Sequence, residues 1–486
     1  MIYKLRPYQE ECVKSISDYI NSDRHDPVLI VGPVGCGKSL LIAEAARLMG
    51  DKTLILQPSK ELLQQNHNKI TSYGIPATIY SASCGKKELS NMIYATLGSI
   101  KKVVGQLKEM GIRNVLIDEA HAGYSPEDGS EFMTFMNELK PKKVIGFTAT
   151  PCRLKTMSIG QVSYSQLNFI TRMRPVYFKN LIHVIQVEEM IRQGFWTPLK
   201  YETWDFNGDA LKLNSNGSEY TAESISEAVR KNGLNNLILR RLMVLKDVCR
   251  SILVFMDSVE SCNTAAEWMN AKICAGMAEV VHGGTPKKQR EAIVEGFKSG
   301  KTKVVFNYSA LGTGFDHPGL DCVIVGRPTF SFSSFYQWLG RAVRIKDGKD
   351  SALVVDCCNN SSRFGDIRKL SIENYKGYGW GMFIGDKLIT NIPMGDKVTK
   401  TDLDIKAAKK DRRRGLAQGV TAAPVPGRPD HPLGSTVMTF GKYCGWMFHS
   451  IPVSYFKFIN ETFDWSNDRN REIKEYIDFL IKNNRL

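Results

Sequence analysis

Residues 32–39 read GPVGCGKS and fit the spacing G-x-x-x-x-G-K-[ST] of a phosphate-binding loop. Glycines at such positions let backbone N–H groups turn inward around phosphate oxygens, where side chains would clash. Lys38 would hold the terminal phosphates and Ser39 would ligate Mg²⁺. The rest of the expected cradle is Gly35, Cys36 and Gly37. The alternative is a tight turn that happens to contain a lysine, so other residues must decide between the two.

A metal–phosphate site needs a further acidic group, and residues 118–121 read DEAH directly after the apolar run NVLI. Ligands of open α/β sheets bind at the carboxyl ends of strands, which is where this group would lie. Asp118 is expected to position Mg²⁺, and Glu119 to orient and deprotonate an attacking water. A helix-capping Asp-Glu pair is the alternative, and the presence of Lys38 disfavours it.

Two arginines lie close together in residues 336–344, which read YQWLGRAVR. If this run is helical, the spacing i, i+3, i+4 and i+7 places four residues on one face. These residues are Gln337, Gly340, Arg341 and Arg344. Paired guanidinium groups suit the charge that develops on a transferred phosphoryl group. We therefore predict that both arginines act on the nucleotide, and a solvated basic helix face is the alternative.

These groups would be carried by short β-branched runs, each followed by a helical pattern. One set of runs begins at residues 27, 52, 114 and 143, and a second set begins at 251, 302, 321 and 351. Continuous apolar runs suit strands that are buried on both faces, and their alternation with helices indicates βαβ units. The sequence therefore predicts an α/β fold of two tandem parallel-sheet domains, followed by a small α+β module.

The expected domain boundaries follow the changes in composition along the chain. They are a first domain at 1–155, a connecting region at 156–235, a second domain at 236–395, a basic and Pro/Gly-containing linker at 396–435 and an aromatic-rich module at 436–486. In the last module, four aromatic residues would either stack on unpaired bases or form a small core. They are Trp446, Phe448, Tyr455 and Phe456.

Composition limits the class of protein. A chain of 486 residues needs two or more cores, and its net charge of +15 favours a polyanionic partner. No run of 18 apolar residues and no secretory h-region is visible, so no membrane segment is expected. The eleven cysteines are scattered without CxxC or zinc-like spacing. Reduced thiols in a cytoplasmic protein are the expectation, in a phage-infected or bacterial cell.

Taken together, GCGKS, DEAH and QWLGRAVR resemble the superfamily 2 helicases and translocases, and the resemblance covers roughly residues 3–358. It implies two RecA-like domains that use ATP and Mg²⁺. Residues 5–9, LRPYQ, resemble the adenine-recognition motif, in which Gln9 would read the adenine edge and Arg6 would assist. Residues 309–324 resemble motif V, in which Gly314 and Asp316 would touch nucleotide and strand.

The same resemblance implies contacts with the phosphate backbone of one nucleic-acid strand, and such contacts carry little sequence information. The residues expected to make them are Pro58, Ser59, Lys60, Thr96, Arg153 and Thr313. The TATP-x-R form at residues 148–153 is similar to that of DNA-acting members of the RecG, UvsW and RadD type. Within that motif, Thr148 and Thr150 would couple the ATP state to strand binding.

These motifs predict a monomeric, ATP-dependent DNA helicase or translocase that remodels branched DNA in replication, recombination or repair, including branch migration. Two alternatives stay open. One is an RNA helicase of the same superfamily, and the other is an ATP-gated nucleic-acid clamp that unwinds nothing.

Overall fold

The computed structural model describes residues 4–50, 52–159, 162–311, 315–407, 431–436, 438, 443, 446–462, 465, 471–483 and 486. The chain forms two compact units, of which the first comprises residues 1–375 with 379–398 and the second comprises 376–378 with 399–486. Among the helices of these described residues, none is long and apolar enough to cross a membrane.

The first unit begins with a sheet of eight strands in the order β10-β1-β7-β6-β2-β5-β3-β4. Its elements are α1 (Pro7–Asn21), β1 (Val28–Val31), α2 (Lys38–Met49), β2 (Thr53–Leu56), α3 (Lys60–Ser72), β3 (Thr78–Ser81), β4 (Lys86–Lys87), β5 (Met92–Ala95), α4 (Leu97–Ile100), α5 (Val104–Glu109), β6 (Asn114–Ile117), α6 (Glu131–Leu139), β7 (Lys143–Thr148), β8 (Cys152–Ile159), β9 (Val162–Phe169), β10 (Asn180–Val184) and α7 (Val187–Arg192).

All neighbouring strands of this sheet run parallel except β3 and β4. Every residue of β1, β2 and β5 is buried, as expected of apolar strands that are covered by helices on both faces. Because the strands are parallel, the loops after β1, β2, β5 and β6 meet at one edge of the sheet. That edge therefore carries the predicted phosphate loop and the DEAH residues.

A second parallel sheet has the strand order β11-β16-β15-β12-β14-β13. Its elements are β11 (Leu199–Thr203), α8 (Ala222–Lys231), α9 (Leu234–Val248), β12 (Ile252–Phe255), α10 (Val259–Lys272), β13 (Ala278–His282), α11 (Lys287–Ser299), β14 (Val304–Tyr308), β15 (Cys322–Val325), α12 (Phe332–Leu339), β16 (Ala352–Asp356) and α13 (Asn360–Phe364). The predicted α/β fold with two parallel-sheet domains is confirmed.

The segment 156–235, expected to connect the domains, contributes to both sheets. It supplies β10 at the edge of the first sheet and β11 at the edge of the second. Strands β8 and β9 form an antiparallel hairpin of their own. The chain then passes from the first sheet to the second through residues 193–198, between α7 and β11.

A small antiparallel sheet follows the second domain, in the order β17-β18-β19-β20. Its strands are β17 (Leu370–Tyr375), β18 (Gly379–Ile384), β19 (Lys387–Leu388) and β20 (Val398–Thr399). The segment after β19 pairs with the hairpin, because the backbone N–H of Asn391 donates to the carbonyl of Leu167 at 2.7 Å. Most of the linker predicted for 396–435 lies outside the described residues, since 408–430 are not among them.

The second unit contains the helices α14 (Val453–Thr462) and α15 (Arg471–Lys482) and two 3₁₀ turns, Pro432–Ser435 and Phe448–Ser450. Phe448 and Phe456 are buried in its core, Tyr455 is half-buried and Trp446 is 40% exposed. Of the four aromatic residues singled out in the sequence, two therefore form a small core. The part of this module that the structure describes, after residue 430, holds helical elements and no strand.

Candidate nucleotide site

The loop between β1 and α2 needs glycine at two positions. Gly35 and Gly37 both have φ of +83°, a left-handed conformation that L-residues with side chains rarely adopt. A Cβ atom on Gly37 would also lie 2.6 Å from Nε2 of Gln9. Because α2 begins at Lys38, the free N–H groups and the positive end of the helix dipole face the loop.

The start of α1 is hydrogen-bonded to this loop. The amide of Gln9 donates to the carbonyl of Cys36 at 2.9 Å, and the Tyr8 hydroxyl donates to the same oxygen at 3.1 Å. The backbone N–H of Arg6 donates to Oε1 of Gln9 at 3.0 Å, and the Arg6 guanidinium lies 4.6 Å from the ring centroid of Phe195. Both residues expected to recognise adenine therefore lie beside the phosphate loop.

The two carboxylates of the DEAH sequence lie beside Lys38. The ammonium group of Lys38 forms an ion pair with Oε1 of Glu119. Glu119 has φ of +47°, and its N–H donates to Oδ1 of Asp118 at 2.9 Å. A left-handed backbone at a non-glycine residue is costly, and such residues concentrate at functional sites. Here it directs the two successive carboxylates toward the same loop.

Burial and charge set the protonation of these groups. Burial raises the pKa of Asp118 to about 6, although Lys38 acts in the opposite direction. Burial also acts to raise the pKa of Glu119, but Lys38 and His121 outweigh it, so the pKa lies below its ordinary value. The two carboxylates raise the pKa of Lys38 against the effect of its burial. Glu119 is therefore ionised at neutral pH, as a base must be.

Asn66 joins the two residues expected to bind the metal, and no motif pointed to it. The Ser39 hydroxyl donates to Oδ1 of Asn66 at 2.6 Å, and Nδ2 of Asn66 donates to Oδ2 of Asp118 at 2.9 Å. Asn66 is 3% exposed and lies on α3 with Leu63 and Ile70 on its buried face. A polar residue on an otherwise apolar helix stripe is the signal that could have identified it.

His121 connects the DEAH loop to the second domain. Its Nδ1 lies 2.8 Å from the hydroxyl of Thr148 and 3.3 Å from Oε2 of Glu119, and its Nε2 lies 3.2 Å from the hydroxyl of Ser333. The Ser333 hydroxyl is also 3.1 Å from that of Thr150. Burial lowers the pKa of His121 to about 4, so the ring is neutral at physiological pH. A polar chain thus crosses from one sheet to the other.

The helix predicted for residues 336–344 is shorter than expected. It ends at Leu339, so Gly340, Arg341 and Arg344 lie in the turn beyond it and share no helix face. At the first residue of that turn the two domains are close together: a Cβ atom on Gly340 would lie 2.5 Å from Cγ2 of Val34 in the phosphate loop. The turn replaces the predicted helix face as the element that presents the arginines.

The arginine side chains are held by the loop after β14. Arg344 forms an ion pair with Asp316 at 2.7 Å, and Arg341 donates to the carbonyl of Phe315 at 2.6 Å. Burial and the neighbouring Arg344 lower the pKa of Arg341. Gly314 and Thr313, which were expected to contact nucleotide and strand, lie outside the described residues.

A cavity of about 520 Å³ lies between the two domains and is lined by groups from both. From the first domain it is lined by Arg6, Gln9, Gly35, Gly37, Lys38, Ser39, Asn66, Asp118 and Glu119, and from the second by Asp316, Gln337, Gly340, Arg341 and Arg344. Cys36 lies behind the lining, fully buried. The structure therefore brings the predicted phosphate, metal and arginine groups to one cavity.

The donor set of this cavity fits a nucleotide with Mg²⁺. Mg²⁺ usually takes one or two protein oxygen ligands and completes its shell with phosphates and waters. The Ser39 hydroxyl and the Asp118 carboxylate meet the same Asn66 amide, so their oxygens converge at the foot of the phosphate loop. The described residues contain no cluster of three His, Cys, Asp or Glu side chains that could hold a metal without phosphates.

Of the residues expected to contact a nucleic-acid strand, four lie after strands β2 and β5, and Arg153 lies beside the loop that follows the DEAH residues. Ser59 caps α3 directly after β2, between Pro58 and Lys60, and Thr96 follows β5, the neighbouring strand. These four residues therefore lie at one sheet edge. The guanidinium of Arg153 donates to the carbonyls of Tyr124 at 2.6 Å and Ala120 at 3.2 Å, and its contact with a strand stays a prediction. It fixes the loop that follows the DEAH residues.

Two family models match the two parallel-sheet domains. Residues 2–153 match the model described as type III restriction enzyme, res subunit. Residues 235–346 match the model described as helicase conserved C-terminal domain. Together they cover the phosphate loop, the DEAH residues and the turn of residues 340–344 that carries the two arginines (the arginine turn).

Curated relatives are about a quarter identical to this chain over the aligned residues. A 51.5 kDa protein of a Lactococcus phage is 25% identical over 332 residues, which are 68% of this chain and 65% of the relative. A Saccharomyces cerevisiae protein named as a candidate ATP-dependent helicase, IRC3, is 24% identical over 57% of this chain and 38% of its own length. The DNA 3'-5' translocase XPB2 of Sulfurisphaera tokodaii is 24% identical over 72% of this chain and 81% of its own length. The chain thus spans less than two thirds of the first two relatives.

A solved structure shows the same fold. The ATP-dependent type ISP restriction-modification enzyme LlaBIII, bound to DNA, superposes with a TM-score of 0.54 over 74% of this chain and 28% of that one, at 16% sequence identity. The two parallel-sheet domains are therefore RecA-like, as expected. Each of the two domains thus matches one family model, the first that of the type III restriction enzyme res subunit and the second that of the helicase conserved C-terminal domain.

Proposed function

We propose that this chain is an ATP-dependent DNA helicase or translocase that remodels or unwinds branched DNA in replication, recombination or repair. The proposal rests on the cavity that Lys38, Glu119 and Arg344 line together, because it holds phosphate-binding, base and cationic groups from two domains. Phosphoryl transfer requires these groups within one site. Forks and junctions of the kind handled by RecG-, UvsW- and RadD-type proteins are the proposed substrates, bound by a monomer.

The residues of the cavity have distinct proposed roles. Lys38, which here pairs with Glu119, would move to the terminal phosphates and leave the Glu119 carboxylate to accept a proton from the attacking water. Ser39 and Asp118 would hold Mg²⁺, which neutralises phosphate charge when bound. Arg341 and Arg344 would stabilise the charge of the transition state from the second domain.

Hydrolysis would drive movement because the domains meet at the nucleotide. ATP in the cavity would contact both domains and the products would contact them less, so the two nucleotide states would favour different separations of the domains. The chain from Glu119 through His121 to Ser333 gives the base a direct polar link to the second domain. A strand held by both domains would then be advanced in steps.

Charge and position support DNA as the partner. The net charge of +15 favours a polyanion, and counterion release would drive its binding. Ser59 and Thr96 end neighbouring strands of the first sheet, and Lys86 is exposed on β4 at the same edge. Among the relatives, the Sulfurisphaera protein is named a DNA translocase.

The decisive experiment compares ATP hydrolysis and strand separation by the full chain on five substrates of matched sequence: a fork, a four-way junction, a linear duplex, a single strand and an RNA fork. We expect the DNA fork and junction to stimulate hydrolysis most and to be unwound. A Glu119→Gln variant is the control, because it should bind ATP and DNA without turnover. Preference for RNA would indicate the RNA helicase instead, and hydrolysis without separation of any substrate would indicate the clamp.

A further inference from the structure

Lys349 lies outside the nucleotide cavity, in the loop between α12 and β16, and its ammonium group is surrounded by backbone oxygens. It donates to the carbonyls of Ala342 at 2.7 Å, Arg344 at 2.8 Å and Pro318 at 3.1 Å. Two of these carbonyls belong to the turn that carries both cavity arginines. The third belongs to the segment after Asp316, which pairs with Arg344.

Residues 193–198, which connect the two sheets, also form hydrogen bonds with this turn. The backbone N–H of Thr197 donates to the carbonyl of Val343 at 2.8 Å, and the Thr197 hydroxyl donates to the carbonyl of Arg344 at 2.7 Å. The preceding residue, Trp196, donates from its indole to the carbonyl of Val34 in the phosphate loop at 2.7 Å.

All three carbonyls of residues 342–344 are therefore occupied by donors from Lys349 or Thr197. This matters because α12 ends at Leu339. Backbone hydrogen bonds from Arg341 to Trp338 at 3.2 Å and from Ala342 to Leu339 at 3.0 Å order the start of the turn, and the donors from Lys349 and Thr197 order its carbonyl groups. A side chain on a free turn would sample many positions, and a misplacement of about 1 Å can cost about a hundredfold in rate. The donors from Lys349 and Thr197 therefore add to the backbone bonds of the turn in supporting the arginines.

We propose that Lys349 is a positioning residue for ATP hydrolysis: with Thr197, it fixes the backbone of the arginine turn so that Arg341 and Arg344 point into the cavity. The inference rests on the proposed ATPase function. Lys349 itself does not contact the nucleotide and acts only through the three carbonyls.

The charge of Lys349 is part of this role. Burial lowers the pKa of Lys349 to about 8, and Arg344 and Lys346 add to that effect while Asp321 opposes it. The other titratable groups that line the same recess are Arg250, Lys298, His317, Asp321, Lys346 and Asp350. Burial lowers the pKa of His317 to about 4, so His317 is neutral across the range in which Lys349 titrates.

The sign of the pH effect follows from the number of donors. Below about pH 8 the ammonium group carries three hydrogens, one for each carbonyl. Above that pH a neutral amine keeps two hydrogens, so one carbonyl loses its partner. Hydrolysis should therefore decline as the pH rises through about 8, whereas binding of ATP, which does not involve Lys349, should change little.

The experiment measures DNA-stimulated kcat and the KM for ATP between pH 6.5 and 9.5 for the wild type, Lys349→Met, Lys349→Arg, Thr197→Val and Lys346→Met. Lys346 is the matched control for the rate at pH 7, since it is an exposed lysine three residues away. Because Lys346 helps to lower the pKa of Lys349, Lys346→Met should keep the alkaline decline and move it to higher pH. For Lys349→Met we expect a kcat about tenfold to a hundredfold lower at pH 7, little change in KM and no alkaline decline. Lys349→Arg should recover part of the rate and stay active at pH 9, and Thr197→Val should lower kcat by about tenfold.

Different outcomes would overturn the role of Lys349 and the proposed ATPase function. A wild type that hydrolyses ATP at equal rates from pH 7 to 9.5, or a Lys349→Met variant that matches Lys346→Met, overturns the role of Lys349 and leaves the proposed function intact. A wild type without ATP hydrolysis overturns the function itself. If Lys349→Met fails to fold, the wild-type pH profile and Thr197→Val still decide the question.

Discussion

At the scale of single residues, the metal end of the cavity depends on an amide that belongs to no recognised motif. Asn66 holds the Ser39 hydroxyl and the Asp118 carboxylate, and its Nδ2 also donates to Oε1 of Gln57 at 3.1 Å. Residues that orient metal ligands in this way typically contribute tenfold to a hundredfold to metal affinity or activity.

We therefore expect Asn66→Leu, which keeps the volume and removes the amide, to raise the Mg²⁺ concentration needed for half-maximal hydrolysis by about tenfold or more. Asn68→Leu is the control, because Asn68 is exposed on the same helix. Hydrolysis is measured against Mg²⁺ at saturating ATP and DNA. If the Mg²⁺ dependence of Asn66→Leu equals that of Asn68→Leu, Asn66 does not support the metal.

At the scale of elements, the phosphate loop and the arginine turn are so close that residue 340 can have no side chain. Gly340 has an ordinary φ, so glycine is required there only because space is short. A Cβ atom on Gly340 would lie 2.7 Å from Cβ and 2.5 Å from Cγ2 of Val34. Packing between the domains at this point therefore limits how closely the arginines can approach the phosphate loop.

Gly340→Ala should push the turn away from the loop and lower DNA-stimulated kcat by about tenfold to a hundredfold. The double variant Val34→Gly with Gly340→Ala removes the isopropyl group that the added methyl group would meet, so it should recover much of the rate. Gly105→Ala is the control, since nothing lies within 4 Å of the added atom. A double variant as slow as Gly340→Ala alone would show that the contact does not set the geometry.

The sequence predicted elements where hydrophobic periodicity and loop chemistry agree. The apolar runs became the buried strands of both sheets, and GPVGCGKS became the loop between β1 and α2. Contacts between distant segments were not predictable. Helix periodicity over 336–344 could not reveal that Val34 meets Gly340, and no local pattern places Asn66 beside Asp118 or β10 beside β1.

At the scale of the whole first unit, two parallel sheets place their functional edges around one cavity. The loops after β1 and β6 contribute the phosphate, metal and base groups, and the loops after β14 and α12 contribute Asp316 and the arginines. Neither domain holds a complete set. Hydrolysis should therefore depend on closure of the second domain on the first, which is the step through which DNA would control the rate.

DNA-stimulated phosphate release by Arg344→Ala and Arg341→Ala shows whether the second domain completes the ATP site. If it does, each variant binds ATP with nearly wild-type affinity while its kcat on DNA falls by about 10³-fold, the lower bound for arginines that stabilise phosphoryl transfer. Wild-type phosphate release by both variants on saturating DNA would show that the first domain hydrolyses ATP without the arginines.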